Sequence, residues 1–306
     1  MSQNYNRKEE IRKMIKMDTL DDSKQYLKIM LDFYFDVITS NEGRKCESEM
    51  EDDRNIWIQT IFTKANVFLS LLDGNGYNND IHKMNPIIDF TILFSINRYI
   101  YESLVSFELL FVLPQSIEHK EFIYNLFKAH GLTERLNKLG ESIRNNDPQR
   151  IKSEEQEIAE CWNKIESSEL YKNMSQQDKN IVKNAFGNKF RYAFNEDNKI
   201  KFVDYQCAYK LLNIKEEIFN NLYAFFSLHG HPSYISLIQF KDAYGKERED
   251  INMAIFATQS IVSLLSILII DYMKINENVR CLYDKLDEET RFALGLYEDI
   301  FRIKQV

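Results

Sequence analysis

The apolar positions of this chain recur mostly at helical spacing. After Thr19-Leu20-Asp21-Asp22, a start signal with an acidic first turn, Leu27, Leu31 and Tyr34 fall four and three residues apart and predict a helix to about residue 40. A charged linker over 45–54 follows, then a helix over 56–72 that ends at Asp73-Gly74-Asn75-Gly76. Asn85-Pro86 reads as an N-cap with proline at the first helical position, where its missing N–H is harmless, and the helix it opens runs to Leu113 before Pro114 stops it. Ser116 caps another that should end at His130-Gly131, with the helical pattern continuing over 132–145. Asp147-Pro148 opens a long polar helix through Trp162 and Ile165, and Ser175 begins one to about residue 188. Residues 190–203 alternate in the manner of a small hairpin and otherwise read as a loop. Helices resume over 205–212 and 215–228 and, beyond the break at His231-Pro232-Ser233, over 247–274 and 287–303.

The expected fold is therefore all-α: a multi-helix bundle with two long apolar central helices and at most one small β-hairpin near 190–203. An N-terminal helical segment with its charged linker, 1–54, would precede a main helical domain over 55–306. Composition agrees, because 9 glycines and 4 prolines in 306 residues are too few for the turns of a sandwich or barrel. A hydrophobic content of 44% with 21 Phe and 17 Tyr excludes a disordered chain.

Residues 255–270 are nearly all apolar, so a membrane span has to be weighed. That run is shorter than the ~20 residues a bilayer needs, and Thr258, Gln259, Ser260, Ser263 and Ser266 interrupt it. The other apolar helix, 87–113, carries Asp89, Arg98, Glu102 and Glu108. Both read as buried helices of a soluble bundle, and no membrane partner is expected. Cys46, Cys161, Cys207 and Cys281 form no Cys-x-x-Cys pair and the first sixteen residues are polar, which predicts a reduced protein of the cytoplasm.

A net charge of −8 with a pI near 5.4 argues against bulk attraction to nucleic acid or to an anionic surface. One local exception lies between Lys179 and Lys201. There Lys179, Lys183, Lys189, Arg191, Lys199 and Lys201 face only Glu196 and Asp197 and interleave with Phe186, Phe190, Tyr192 and Phe194. Basic residues among stacking rings suit single-stranded nucleic acid. The plainer reading is an amphipathic segment with core aromatics and solvated lysines.

The strongest candidate for chemistry is a polar stripe on the first apolar helix: Thr91, Ser95, Arg98, Glu102 and Ser106 share one face, and Arg98 and Glu102 are spaced to pair. A second stripe, Asn220, Tyr223 and Ser227, leads to His231-Pro232-Ser233, and a third is Gln259, Ser263 and Ser266. The three are expected to meet in the core, bringing His231 and Tyr223 to Arg98 and Glu102. Arg98-x-x-x-Glu102 followed by Tyr223-x-x-x-Ser227-x-x-x-His231-Pro232-Ser233 and another apolar helix resembles an uncharacterised all-helical bacterial family, a domain of unknown function, over residues 84–273. The resemblance implies a helical fold with a polar cluster at these positions and carries no activity with it.

Two functions remain open. In the first, the protein is an accessory, ligand-sensing or defence-related factor, and the cluster satisfies buried polar groups and fixes helix packing. In the second, it is a ribonuclease or other phosphate-ester hydrolase: His231 acts as general acid or base, Arg98 grips an anion such as phosphate, Glu102 orients it, and Tyr223, Ser227 and Ser233 assist binding. No cofactor is expected, since phosphate loops, nucleophile elbows and zinc or di-iron motifs are missing from the sequence. His229 and His231, two residues apart with no Cys or acid close in sequence, are a weak metal signal. His82, His119 and His130 read as surface or helix-end residues. A homo-oligomer is compatible with the sequence.

Overall fold

A computed structural model describes residues 2–138, 147–184, 191–195, 199–231, 233–245 and 249–303. Among them are thirteen α-helices: α1 Ser2–Lys16, α2 Leu20–Ser40, α3 Glu49–Leu71, α4 Phe90–Phe107, α5 Ile117–Lys138, α6 Pro148–Ser167, α7 Glu169–Asn173, α8 Gln176–Lys183, α9 Glu216–Gly230, α10 Tyr234–Gly245, α11 Glu249–Ile275, α12 Glu277–Asp284 and α13 Glu288–Phe301. A π-helical turn, Glu108–Val112, continues α4, a 3-10 turn, Ala208–Lys210, precedes α9, and two antiparallel hairpins are present, β1 Asn75–Asn78 with β2 Lys83–Ile87 and β3 Tyr192–Phe194 with β4 Ile200–Phe202. The all-α expectation holds; of the two readings of 190–203 the hairpin is present rather than the loop, with Glu196, Asp197 and Asn198 outside the described residues, and the hairpin at 75–87 is one more than the sequence reading allowed.

The chain divides into two compact units, Met1–Val105 with Tyr205–Val306, and Ser106–Asp204. The expected boundary at residue 54 falls inside the first, because α2 packs its apolar stripe against α11 and α3. Thr19 caps α2 as its sequence suggests, accepting from the Asp22 N–H at 3.1 Å. Leu27, Met30, Tyr34 and Val37 follow as a buried face. Each such side chain taken fully out of water contributes about 1.5–3 kcal/mol. The Tyr26 and Tyr34 hydroxyls then donate to the carbonyls of Ala293 and Leu265, at 2.6 and 2.8 Å, and fix the register of α2 on α13 and α11.

Helix α11 spans 27 residues and is long and apolar enough to cross a bilayer, so the argument from its length fails. What marks it as a core helix of this fold is burial: 72% of its most apolar stretch is inside the protein. Ser266 donates to the Leu294 carbonyl at 2.6 Å and accepts from the Glu298 N–H at 3.2 Å. The fully buried Asp271 pairs with Arg302 and, at 2.6 Å, with Lys274. The chain beyond α13 pairs back on the entry to α9, through Lys215 N–H to Phe301 O and Ile303 N–H to Asn213 O.

Several boundaries differ from the sequence reading. Asn85-Pro86 is not a helix start: it lies in β2, where an exposed hairpin edge tolerates proline as readily as a first helical turn does. Gly74 turns the chain into that hairpin at φ +75°, with Ile87 O only 3.1 Å from where a Cβ would stand. Helix α4 begins instead at Phe90, and Asp89 caps it by accepting from the Thr91 N–H and hydroxyl. Helix α3 starts at Glu49 rather than near 56, since the Ser48 hydroxyl accepts from Glu51 N–H while the Glu51 carboxylate accepts from Glu47 N–H. Helix α5 runs straight through His130-Gly131, and His130 is buried, not at a helix end.

In the second unit α5 packs on α6, whose buried Glu154 accepts from Arg135 at 2.6 Å and Arg150 at 3.1 Å. The aromatics of the basic stretch pack within this unit. Tyr192 is buried, Phe194 lies against His119 and Phe122, and Arg191 sits 4.5 Å over the Phe202 ring while pairing with Asp204. Phe186, Lys189 and Phe190 of that stretch fall outside the described residues.

Candidate functional site

Helix α4 presents Arg98 and Glu102 one turn apart, and Arg98 Nε donates to Glu102 Oε1 at 2.9 Å. The middle of α9 and the residue that follows its end supply the rest. Tyr223 donates its hydroxyl to the same Glu102 oxygen at 3.1 Å, and Arg98 Nη1 lies 2.8 Å from His231 Nε2. The guanidinium stands 5.7 Å from the Tyr223 ring centre, within cation–π range. Gly230 leaves room for this approach: a Cβ there would stand 3.3 Å from Arg98 Cδ and Nη1 and require the guanidinium to shift slightly. The expected meeting of the two stripes is therefore present: Arg98, Glu102, Tyr223 and His231 form one network.

The network is not fully buried. The Arg98 and Glu102 side chains keep 20% and 14% of their surface, and His231 is exposed. Burial opposes the Arg98 charge, but the Glu102 carboxylate beside it prevails and raises the guanidinium's pKa above its ordinary value. Burial, then the Glu102 charge, pushes the Tyr223 phenol up as well. A guanidinium has donors only, so His231 Nε2 is the acceptor in its contact with Arg98 and the ring proton sits on Nδ1.

The remaining sequence candidates do not join. Ser227 donates to the Tyr223 carbonyl of its own helix at 2.8 Å, and Ser233 caps α10 by exchanging bonds with Ser236. Ser266 bonds to α13, while Gln259 and Ser263 line a cleft on the other side of α9, so the third stripe turns away from Arg98. The reason is that a helix apolar on every side, like α11, gives no signal of which neighbour each face meets. The side chain of Asn220 and the whole of Pro232 lie outside the described residues.

Asn97 was missed, and His229 was weighed only as a weak metal ligand. Asn97, fully buried, donates to the Ala257 carbonyl at 2.9 Å and ties α4 to α11. His229 is 5% exposed, neither ring nitrogen has a hydrogen-bond partner, and its ring lies 5.1 Å from Phe94, 4.8 Å from Phe225 and 5.7 Å from Phe90. Burial lowers its pKa and keeps it neutral. His229 and His231 thus part company, one enclosed by rings and the other on Arg98, and among the described residues no three His, Cys, Asp or Glu gather as a metal ion would need. Compared with protein-family models, with curated proteins and with solved structures, the chain matches none.

Proposed function

We propose that this chain is an accessory, ligand-sensing helical protein in which Arg98, Glu102, Tyr223 and His231 form a structural latch between α4 and the end of α9. One observation carries the reading: the Arg98 guanidinium occupies His231 Nε2, the nitrogen that a general base needs free. The Arg98 charge is already matched by Glu102, which leaves little attraction for a phosphate or other anion. Tyr223 donates to the same carboxylate oxygen as Arg98, so each member serves another member.

The hydrolase reading retains one favourable observation, the exposure of the His231 ring. His231→Ala separates the two. The latch predicts a lower melting temperature and no turnover of a single-stranded RNA oligonucleotide or an aryl phosphate ester by either protein. A His231-dependent hydrolysis rate, with the melting temperature unmoved, would overturn the proposal in favour of the enzyme.

A further inference from the structure

The side of α9 that carries Asn221, Leu222 and Phe225, with Phe219, borders a cleft of about 610 Å³ that α11 and α13 complete. Pockets for small organic ligands span ~300–1,000 Å³, so this one has the capacity for a compact molecule of several fused or linked rings. Of its ten lining residues five are aromatic, Phe219, Phe225, Phe256, Tyr297 and Phe301, and none is charged. Ser260 and Ser263 are buried there and donate to carbonyls of their own helix, so the helix beneath the rings carries no unsatisfied donor at these positions. The polar groups left over are the amides of Asn221 and Gln259 and the Tyr297 hydroxyl, none of which has a hydrogen-bond partner among the described residues. Burial pushes the Tyr297 phenol's pKa up to about 12.

We infer that this cleft is a binding site for an uncharged, flat aromatic small molecule carrying one amide, carbonyl or hydroxyl group. Ring walls favour stacking and edge contacts with a planar ligand over a flexible chain. A charged ligand would leave its ion unpaired among apolar walls, which the absence of any lining charge forbids. A free amide at Gln259 supplies both a donor and an acceptor for the ligand's polar group. This inference names the ligand site that the sensing role requires, and it is tested without reference to the latch.

The probe is N-phenyl-1-naphthylamine, uncharged and fluorescent in apolar surroundings, titrated into the full chain. Saturable one-to-one binding is expected. Leu222→Trp, a half-buried lining position whose larger ring fills the cleft, and Phe256→Ser, which removes a wall 36% exposed at the rim, should each weaken it by about tenfold or more. Tyr234→Ser, on the apolar surface that α10 leaves 77% exposed at that residue, should leave it unchanged. On the unaltered protein, 2-naphthamide should displace the probe and 2-naphthoate, its anionic counterpart, should not. Non-saturating fluorescence, loss of binding in Tyr234→Ser rather than in the cleft variants, or equal displacement by amide and carboxylate would overturn the inference. Failure of the latch reading shows instead as a melting temperature unmoved by His231→Ala while probe binding is retained, so the two failures are distinguishable.

Discussion

Replacing His229 by phenylalanine is expected to stabilise the protein, and to do so more at acidic pH. The imidazole is buried against Phe90, Phe94 and Phe225 with both nitrogens unbonded. Leaving a buried polar group unsatisfied costs about 1–3 kcal/mol, and a phenyl ring removes that penalty while keeping the stacking. The phenyl is slightly larger, and overpacking of about 1 kcal/mol works against the gain. A net stabilisation of about 1 kcal/mol at neutral pH follows, or roughly 2–4 °C in melting temperature for a unit near 200 residues. The pH dependence has a definite sign. In the unfolded chain the imidazole titrates at its ordinary 6.5, whereas burial depresses the folded value, so below 6.5 the unfolded state takes up a proton that the native state refuses. Stability from this residue is complete above that value and is lost as the pH falls toward the folded one. The phenylalanine variant has no such loss, and its lead over the parent should widen between about pH 7.5 and about pH 5.5. Urea unfolding followed by far-ultraviolet circular dichroism at the two pH values measures both quantities, and the other histidines cancel in the comparison. A variant less stable than the parent at neutral pH, or a lead independent of pH, would refute the assignment of His229 as a neutral, unbonded core residue.

Arg302→Ala should destabilise the first unit by about 3 kcal/mol or more, because it strands the fully buried Asp271 carboxylate with only the half-exposed Lys274. Asp271→Asn added to it should recover part of that loss in a thermal melt. A double-mutant cycle of Arg98→Ala and His231→Ala should give a coupling of only about 0.5–1 kcal/mol, since His231 is exposed to solvent. A coupling near zero would show that the 2.8 Å contact does not hold α9 to α4.

What could be read from the sequence was local. Thr19, Asp147, Ser175 and Asp287 announce their helices because a cap is decided by a side chain and the N–H two or three residues away. The pairing of Arg98 with Glu102 follows from one turn of helix, and the approach of His231 follows from two polar faces each needing a partner. The misses share a physical origin in ambiguity. Proline after asparagine suits a strand edge as well as a helix start, and the hairpin from Gly74 to Ile87 decides between them through pairing that no short window reveals. Glycine at 131 permits a helix end without compelling one. The two histidines look alike in sequence, yet residues two apart on a helix point to nearly opposite sides. His229 lies in the last turn of α9 and meets Phe94, whereas His231, at φ −131° and ψ 144°, has left the helix and reaches Arg98.

Helix α9 thereby has two differently built faces. Its Tyr223 side and its C-terminal end are bonded to α4 by charge and hydrogen bonds, while Phe219, Leu222 and Phe225 border the cleft with apolar side chains. Phe225 belongs to both settings, lining the cleft and touching Phe94 and His229, each at 4.8 Å. Hydrogen bonds fix a ring's orientation, and the His229 ring has none, so this stack is held by packing only. The Tyr223 side of α9 and the residue after it are thus held by directed bonds, and the Phe225–His229 stack by contact alone.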